Sequence, residues 1–284
     1  MLVHFIRIII ITVLILTLIF LPYMPGEYDA SAITLSTMAQ LLGFSSLLFV
    51  PIGIAWLIYE IVKQRKKKDG ASNKTYHFAI AALIVSALVV LIPALGAFIN
   101  HNPGLVIIIL LIYILIISKI LLKLKQIKNA ASNRFNPTPY YLICIPIVVI
   151  LIRFTFIDRA TESSRNYAIK QSENYIRDIE AYYTTNGHYP KTLLSLYSDY
   201  DPAIRGIHRY HYELNGNAYN IYFEQFSNEP GISEIVMYNK LGEHEMTGHD
   251  MDLLELSHEE QNRQRGYHLV RDLPQKNWKY FWFD

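Results

Sequence analysis

The sequence predicts a chain of two fold classes: an all-α membrane bundle of five helices, then a soluble α+β domain whose long N-terminal helix packs on an antiparallel sheet. Three observations predict it. Five long apolar stretches precede residue 158, basic residues are confined to alternate connecting loops, and charged residues and tyrosines with strand-like alternation take over after residue 158.

The change in composition sets the domain boundary, with a transmembrane domain over 1–157 and an extracytoplasmic domain over 158–284. Charge divides at the same place. The first part holds 13 Lys and Arg against 4 Asp and Glu, which gives +9; the second holds 13 against 20, which gives −7. An acidic outer domain excludes nucleic acid as a partner, since phosphates require a basic surface. The single cysteine, Cys144, lies in an apolar run. No intrachain disulfide is available, so the outer domain must hold itself together through its core.

A membrane-crossing helix needs about 20 mainly apolar residues. The candidates are about 5–21, 39–62, 78–99, 105–122 and 140–157. A lone strand would leave its backbone groups unpaired in lipid, so each is read as a helix. Pro51, Pro93 and Pro146 fall within spans, where a kink is expected at each. Ala30-Ser31-Ala32 resembles a signal-peptidase site, but it lies too far beyond an apolar run that is too long, so the first span is kept.

Loop charge orients the bundle. Loop 63–76 carries Lys63, Arg65, Lys66, Lys67, Lys68 and Lys74, and the next loop on that side carries Lys123, Lys125, Lys128 and Arg134. The alternate loops, PYMPGEYDASAITLST and NHNP, hold no Lys or Arg. Positive loops stay in the cytoplasm, so the N-terminus is inside and the acidic domain outside. The basic run could also meet anionic lipid headgroups, but the topology signal already accounts for every charge. Transport requires ionisable groups within the bilayer. Only Arg153 lies clearly inside a span, near its outer end, where it is expected to snorkel; Glu60 and Lys119 read the same way at inner ends. No buried Asp or Glu is expected, and His101 reads as part of a polar turn.

In the outer domain, residues 158–186 read as one long helix that can continue out of the fifth span. Ala168, Ser172, Tyr175, Ile179 and Tyr182 repeat at spacings of three and four, giving a Tyr-rich apolar face. Asn186-Gly187 ends the helix, with Pro190 soon after. Strands follow. RYHYEL (209–214) alternates strictly, Asn215-Gly216 signals a hairpin, and 218–226 returns. A third strand is expected over 232–238, and a fourth over WKYFWFD with Trp278, Tyr280 and Trp282 on one face. A helix packed on such a sheet buries these faces.

The stretch IEAYYTTNGHYPKTLLSL (179–196) resembles the region after the long helix of type IV pilins and type II secretion pseudopilins. Gly187, Tyr189, Pro190, Leu193 and Leu196 match that pattern, as does the following Asn-Gly hairpin. The resemblance covers about residues 150–240. It implies a pilin-like fold for the outer domain and a bacterial cell envelope setting. The pilin processing site, Gly before Phe with a Glu shortly after, is missing, so the resemblance does not extend to filament assembly.

No catalytic motif occurs: G-x-S-x-G, H-E-x-x-H, paired C-x-x-C and phosphate-binding Gly loops are all missing. Two His-containing features remain. His208 and His211 are expected on the surface around the first strand. The segment GEHEMTGHDMD sets His244 and His249 among carboxylates, with Asp250 and Asp252 as further candidate ligands of a divalent cation. The bland reading of that segment is a polar loop. Tyrosine enrichment suits a carbohydrate or peptide surface, but the strand alternation favours core. The expected function is non-enzymatic: a plasma-membrane protein that anchors its outer domain in the bilayer for contact with another envelope protein or a ligand. The alternative is a membrane-bound enzyme, such as a metal-dependent hydrolase, with its site in the outer domain.

Overall fold

A computed structural model of the chain describes residues 2–66, 74–99, 102–129, 135–197, 200–227, 233–244 and 269–283. The helices are α1 (Leu2–Phe20), α2 (Ala30–Ser46), α3 (Phe49–Lys66), α4 (Lys74–Ile99), α5 (Pro103–Asn129) and α6 (Thr138–Asn186). The strands are β1 (His211–Asn215), β2 (Ala218–Gln225), β3 (Ser233–Asn239), β4 (Leu269–Asp272) and β5 (Trp278–Phe283). Two compact units result. One comprises Met1–Ile19 with Leu35–Phe156, and the other Phe20–Thr34 with Ile157–Asp284. The 49-residue α6 contributes to both.

Four helices in the described residues are long and apolar enough to cross a membrane, or five if α2 and α3 together count as one span. The side chains of α5 show why lipid suits them: Ile107, Leu111, Leu115 and Leu122 are each more than half exposed. An apolar exterior on this scale is costly in water and unremarkable in hydrocarbon.

The stretch read as one kinked span over 39–62 falls on α2 and α3, bent by 46° at the break between them. Pro51 is the physical cause. Lacking an N–H, it cannot bond the carbonyl four residues earlier, so it sits in the first turn of α3, where the missing donor costs nothing. Around the break, Leu47 and Leu48 turn to tighter bonds with the carbonyls of Phe44 and Ser45. Pro93 and Pro146, by contrast, lie inside unbroken helices.

Within the first unit, α2 and α3 run antiparallel to the first part of α6. Gln40 meets Arg153, Gly53 meets Ile143, and Glu60 meets Asn136. A Cβ on Gly53 would lie 2.7 Å from the Ile143 side chain, so only glycine admits this approach. Glu60 and Arg153 correct the sequence reading, because neither snorkels. Glu60 is fully buried: Oε1 accepts from Trp56 Nε1 (3.3 Å) and Thr75 Oγ1 (3.2 Å), and Oε2 accepts from the Asn136 amide (3.3 Å), with Lys63 Nζ at 3.9 Å. Arg153 is also buried. Its Nε donates to Gln40 Oε1 (2.8 Å), and its guanidinium lies over the rings of Phe44 and Phe154. A lack of intramembrane charge therefore cannot argue against transport. Glu60, with donors from α3, α4 and the residues before α6, clamps three segments together.

In the second unit, β1-β2-β3-β5-β4 form one antiparallel sheet, one strand more than expected. The unexpected strand, β4, has only four residues and pairs with β5 through Val270↔Phe281 and Arg271↔Tyr280. Ala168, Ile169 and Ile179 of α6 are buried with Tyr210, Tyr219, Ile221, Phe223, Val236 and Trp278 in one core. Trp282 packs against that core only partly buried. Gly187 ends α6 with a φ of +73°, and its amide donates to Tyr183 O at 2.8 Å. This is the left-handed cap the sequence suggested.

Candidate functional site

The core is tied by tyrosine hydroxyls. Tyr210, fully buried, donates to the Ala168 carbonyl and sets its ring against Tyr175 and Phe223. Alternation then sends its neighbours Arg209 and His211 away from the core. His211 stacks on Tyr222 of β2 with ring centroids 4.9 Å apart, and Tyr222 donates to Glu213. Burial and that bond push the Tyr222 hydroxyl up to about 12.

The segment between α1 and α2 closes over this edge. Main-chain bonds stitch it to the loop before β1: Gly206 N to Pro22 O (2.8 Å), Gly26 N to Ala203 O (2.9 Å), Arg205 N to Met24 O (3.2 Å) and Asp29 N to Arg205 O (3.0 Å). Tyr23 is buried with its ring 5.8 Å from Phe226, and a Cβ on Gly206 would lie 2.8 Å from Pro22. Asp29 caps α2, accepting from the Ser31 amide (2.9 Å) and hydroxyl (2.6 Å), and these bonds hold its carboxyl below the usual range.

Between the segment and the sheet lies a cleft of about 480 Å³, lined among others by Tyr28, His208, Arg209, His211 and Glu224. The Tyr28 and His208 rings are 4.6 Å apart. His211 titrates below its ordinary range, first because it is partly buried and then because Arg209 and His208 stand near; Glu213 and Glu224 pull the other way. Gln225 also lines the cleft but is committed elsewhere. Its Nε2 donates to Thr161 O (2.7 Å) and Ser164 Oγ (3.1 Å), and its Oε1 accepts from Arg165 Nε (2.9 Å).

Of the candidate metal ligands, His244 lies on the opposite side of the sheet from α6. Its ring is 6.3 Å from that of Phe281, with Nδ1 3.0 Å from Gly242 O and Nε2 3.0 Å from Asn277 O. Burial lowers its pKa. His249, Asp250 and Asp252 lie outside the described residues, as do His101 and much of the basic loops. Among the described residues, no group of three or more His, Cys, Asp or Glu could hold a metal.

The sequence reading placed His208 and His211 at the surface but missed the cleft they line, because its other wall comes from residues 20–34, far away in the chain. One signal was available. That connection is much longer than NHNP, and helix connections of such length usually have a role of their own. Compared with known proteins, the chain gives no match to a protein family, to a curated protein or to a solved structure.

Proposed function

We propose that this chain is a five-span plasma-membrane protein of the bacterial cell envelope, with a cytoplasmic N-terminus. Its pilin-like outer domain makes contact with another envelope protein or a ligand. The observation that carries this reading is the union of residues 20–34 with 157–284 in one unit, joined by main-chain hydrogen bonds. Two segments so bonded belong on the same side of a bilayer, so an even number of crossings must separate them. Helices α4, α5 and α6 supply three. The bent α2–α3 pair therefore supplies the fourth, for a re-entrant hairpin would put the two segments on opposite sides. The charge asymmetry of the loops then makes their common side the outer one. The long helix on an antiparallel sheet supports the pilin-like reading, and the cleft supports an interaction role.

Reporter enzymes active only outside the cytoplasm test the arrangement. Fusions after Asp29, His101 and Asp284 are expected to be active, and fusions after Asp69 and Asn129 silent. Activity at Asp69 with silence at Asp284 would show that α2–α3 is re-entrant. Crosslinking of the full-length chain in intact membranes tests the interaction role, and an envelope protein is the expected product. Turnover of ester or phosphate substrates by the purified chain would favour the enzymatic alternative instead.

A further inference from the structure

Building on the interaction role, we propose that the cleft between residues 20–34 and the β1–β2 edge binds a small ligand that joins an apolar ring or chain to a carboxylate or phosphate. The cleft's size falls in the range of ligand sites, about 300–1,000 Å³. Its polarity is what selects the ligand. The unit as a whole is acidic, yet the cleft gathers Arg209, His208 and His211 against a single lining carboxylate, Glu224. Arg209 is charged at every physiological pH and presents a planar fork of donors suited to carboxylate or phosphate. The imidazoles beside it offer further N–H donors.

The apolar part of the ligand has its own surface. Tyr28 stands against His208 on one wall and Phe226 on another. The walls are held in place beforehand. The four main-chain bonds between residues 22–29 and 203–206 fix the segment on the sheet edge, and Gly206 allows a contact that any side chain would block. A site ordered before binding loses less entropy on binding.

The test uses the full-length protein in nanodiscs of phosphatidylcholine alone, so that no anionic lipid competes. Phenyl phosphate, benzoate and the neutral benzamide serve as probes, followed by calorimetry and by Tyr28-to-probe transfer in NMR. Phenyl phosphate and benzoate are expected to bind saturably, benzamide at least about tenfold more weakly, since one charge-assisted hydrogen bond is worth about that much. A preference between the two anions identifies phosphate or carboxylate as the natural group. Arg209→Gln is expected to weaken both anions about tenfold without lowering the melting temperature, because this side chain is exposed. Tyr28→Ala is expected to weaken all three probes. The proposal is overturned if no probe binds at millimolar concentration, if benzamide binds as well as the anions, or if Arg209→Gln leaves anion binding unchanged. If any of these failures occurs while crosslinking of the full-length chain still captures an envelope protein, the interaction role stands and only this ligand assignment fails.

Discussion

The two units bury polar groups by opposite means. In the apolar helical unit two ionisable side chains are buried, Glu60 completely, and each is surrounded: Glu60 takes donors from two side chains and a main-chain amide, and Arg153 is held by Gln40 with its guanidinium over two phenylalanine rings. The second unit distributes most of the task over neutral groups. Its tyrosines place rings in the core and hydroxyls on acceptors, as Tyr212 does on Pro190 O (2.8 Å) and Tyr219 on Glu180 Oε1 (2.8 Å). Most of its charges stay at the margins, where Lys240 pairs with Glu180 beside Tyr183 and Tyr189; the exception is Glu234, buried with Arg165 Nη2 at 3.9 Å and the Arg165 guanidinium over the Tyr280 ring. The contrast follows from the surroundings. Where water cannot reach, a charge must find every partner inside the protein, so a few charges come to hold several segments. Where water is at hand, tyrosine supplies apolar area and a polar tip together.

The comparison predicts its own largest effect at Glu60. Glu60→Ala leaves buried donors on Trp56, Thr75 and Asn136 without an acceptor, and is expected to destabilise the first unit by about 3–5 kcal/mol, as breaking buried charged networks does. Thermal denaturation of the full chain in nanodiscs, followed by helix content, measures it. A loss below about 1 kcal/mol would mean that water reaches the site and that the two units do not differ in this respect.

A smaller loss is expected at Gln225 in the second unit. It is nearly as deeply buried as Glu60 but neutral, and it joins α6 to β2 through Thr161, Ser164 and Arg165. Gln225→Ala is expected to cost about 1–3 kcal/mol, the range for buried neutral groups left unbonded. The same melt, followed by tyrosine and tryptophan fluorescence, reads it. An effect equal to that of Glu60→Ala would remove the distinction between charged and neutral hubs.

The smallest effect is in pH dependence, and it belongs to the second unit. His211 and His244 both titrate below the usual imidazole value of 6.5, chiefly because burial disfavours the charged ring. The unfolded chain therefore binds more protons than the folded one in the window below 6.5. The stabilisation is complete above that value and is lost as pH falls through the folded pKa values. The second unit's melting temperature is expected to fall progressively below that pH, and less so in the His244→Gln variant. A melting temperature that stayed level over this window would mean that water reaches both rings.

Much of this architecture can be read along the chain, because it rests on local regularities. Apolar runs, a three-and-four spacing from Ala168 to Ile179, alternation in RYHYEL and the Asn-Gly turn each act over a few residues. Their outcomes are α6 and the β1–β2 hairpin, with Gly216 at a φ of +54° in the turn. Strand β4 escaped notice because four residues are too few for a period to register.

What sequence alone determined here is the division into an apolar and an acidic half and the periodicity of the main elements. Each follows from the chemistry of near neighbours or of whole segments, which a linear reading can sum. Tertiary structure alone decided which side chains meet from afar. It enclosed Glu60 with Thr75 and Asn136, and laid residues 20–34 on the sheet edge beside Arg209. These pairings depend on closing long loops, and their energies appear only once the chain has folded, so no local pattern announces them.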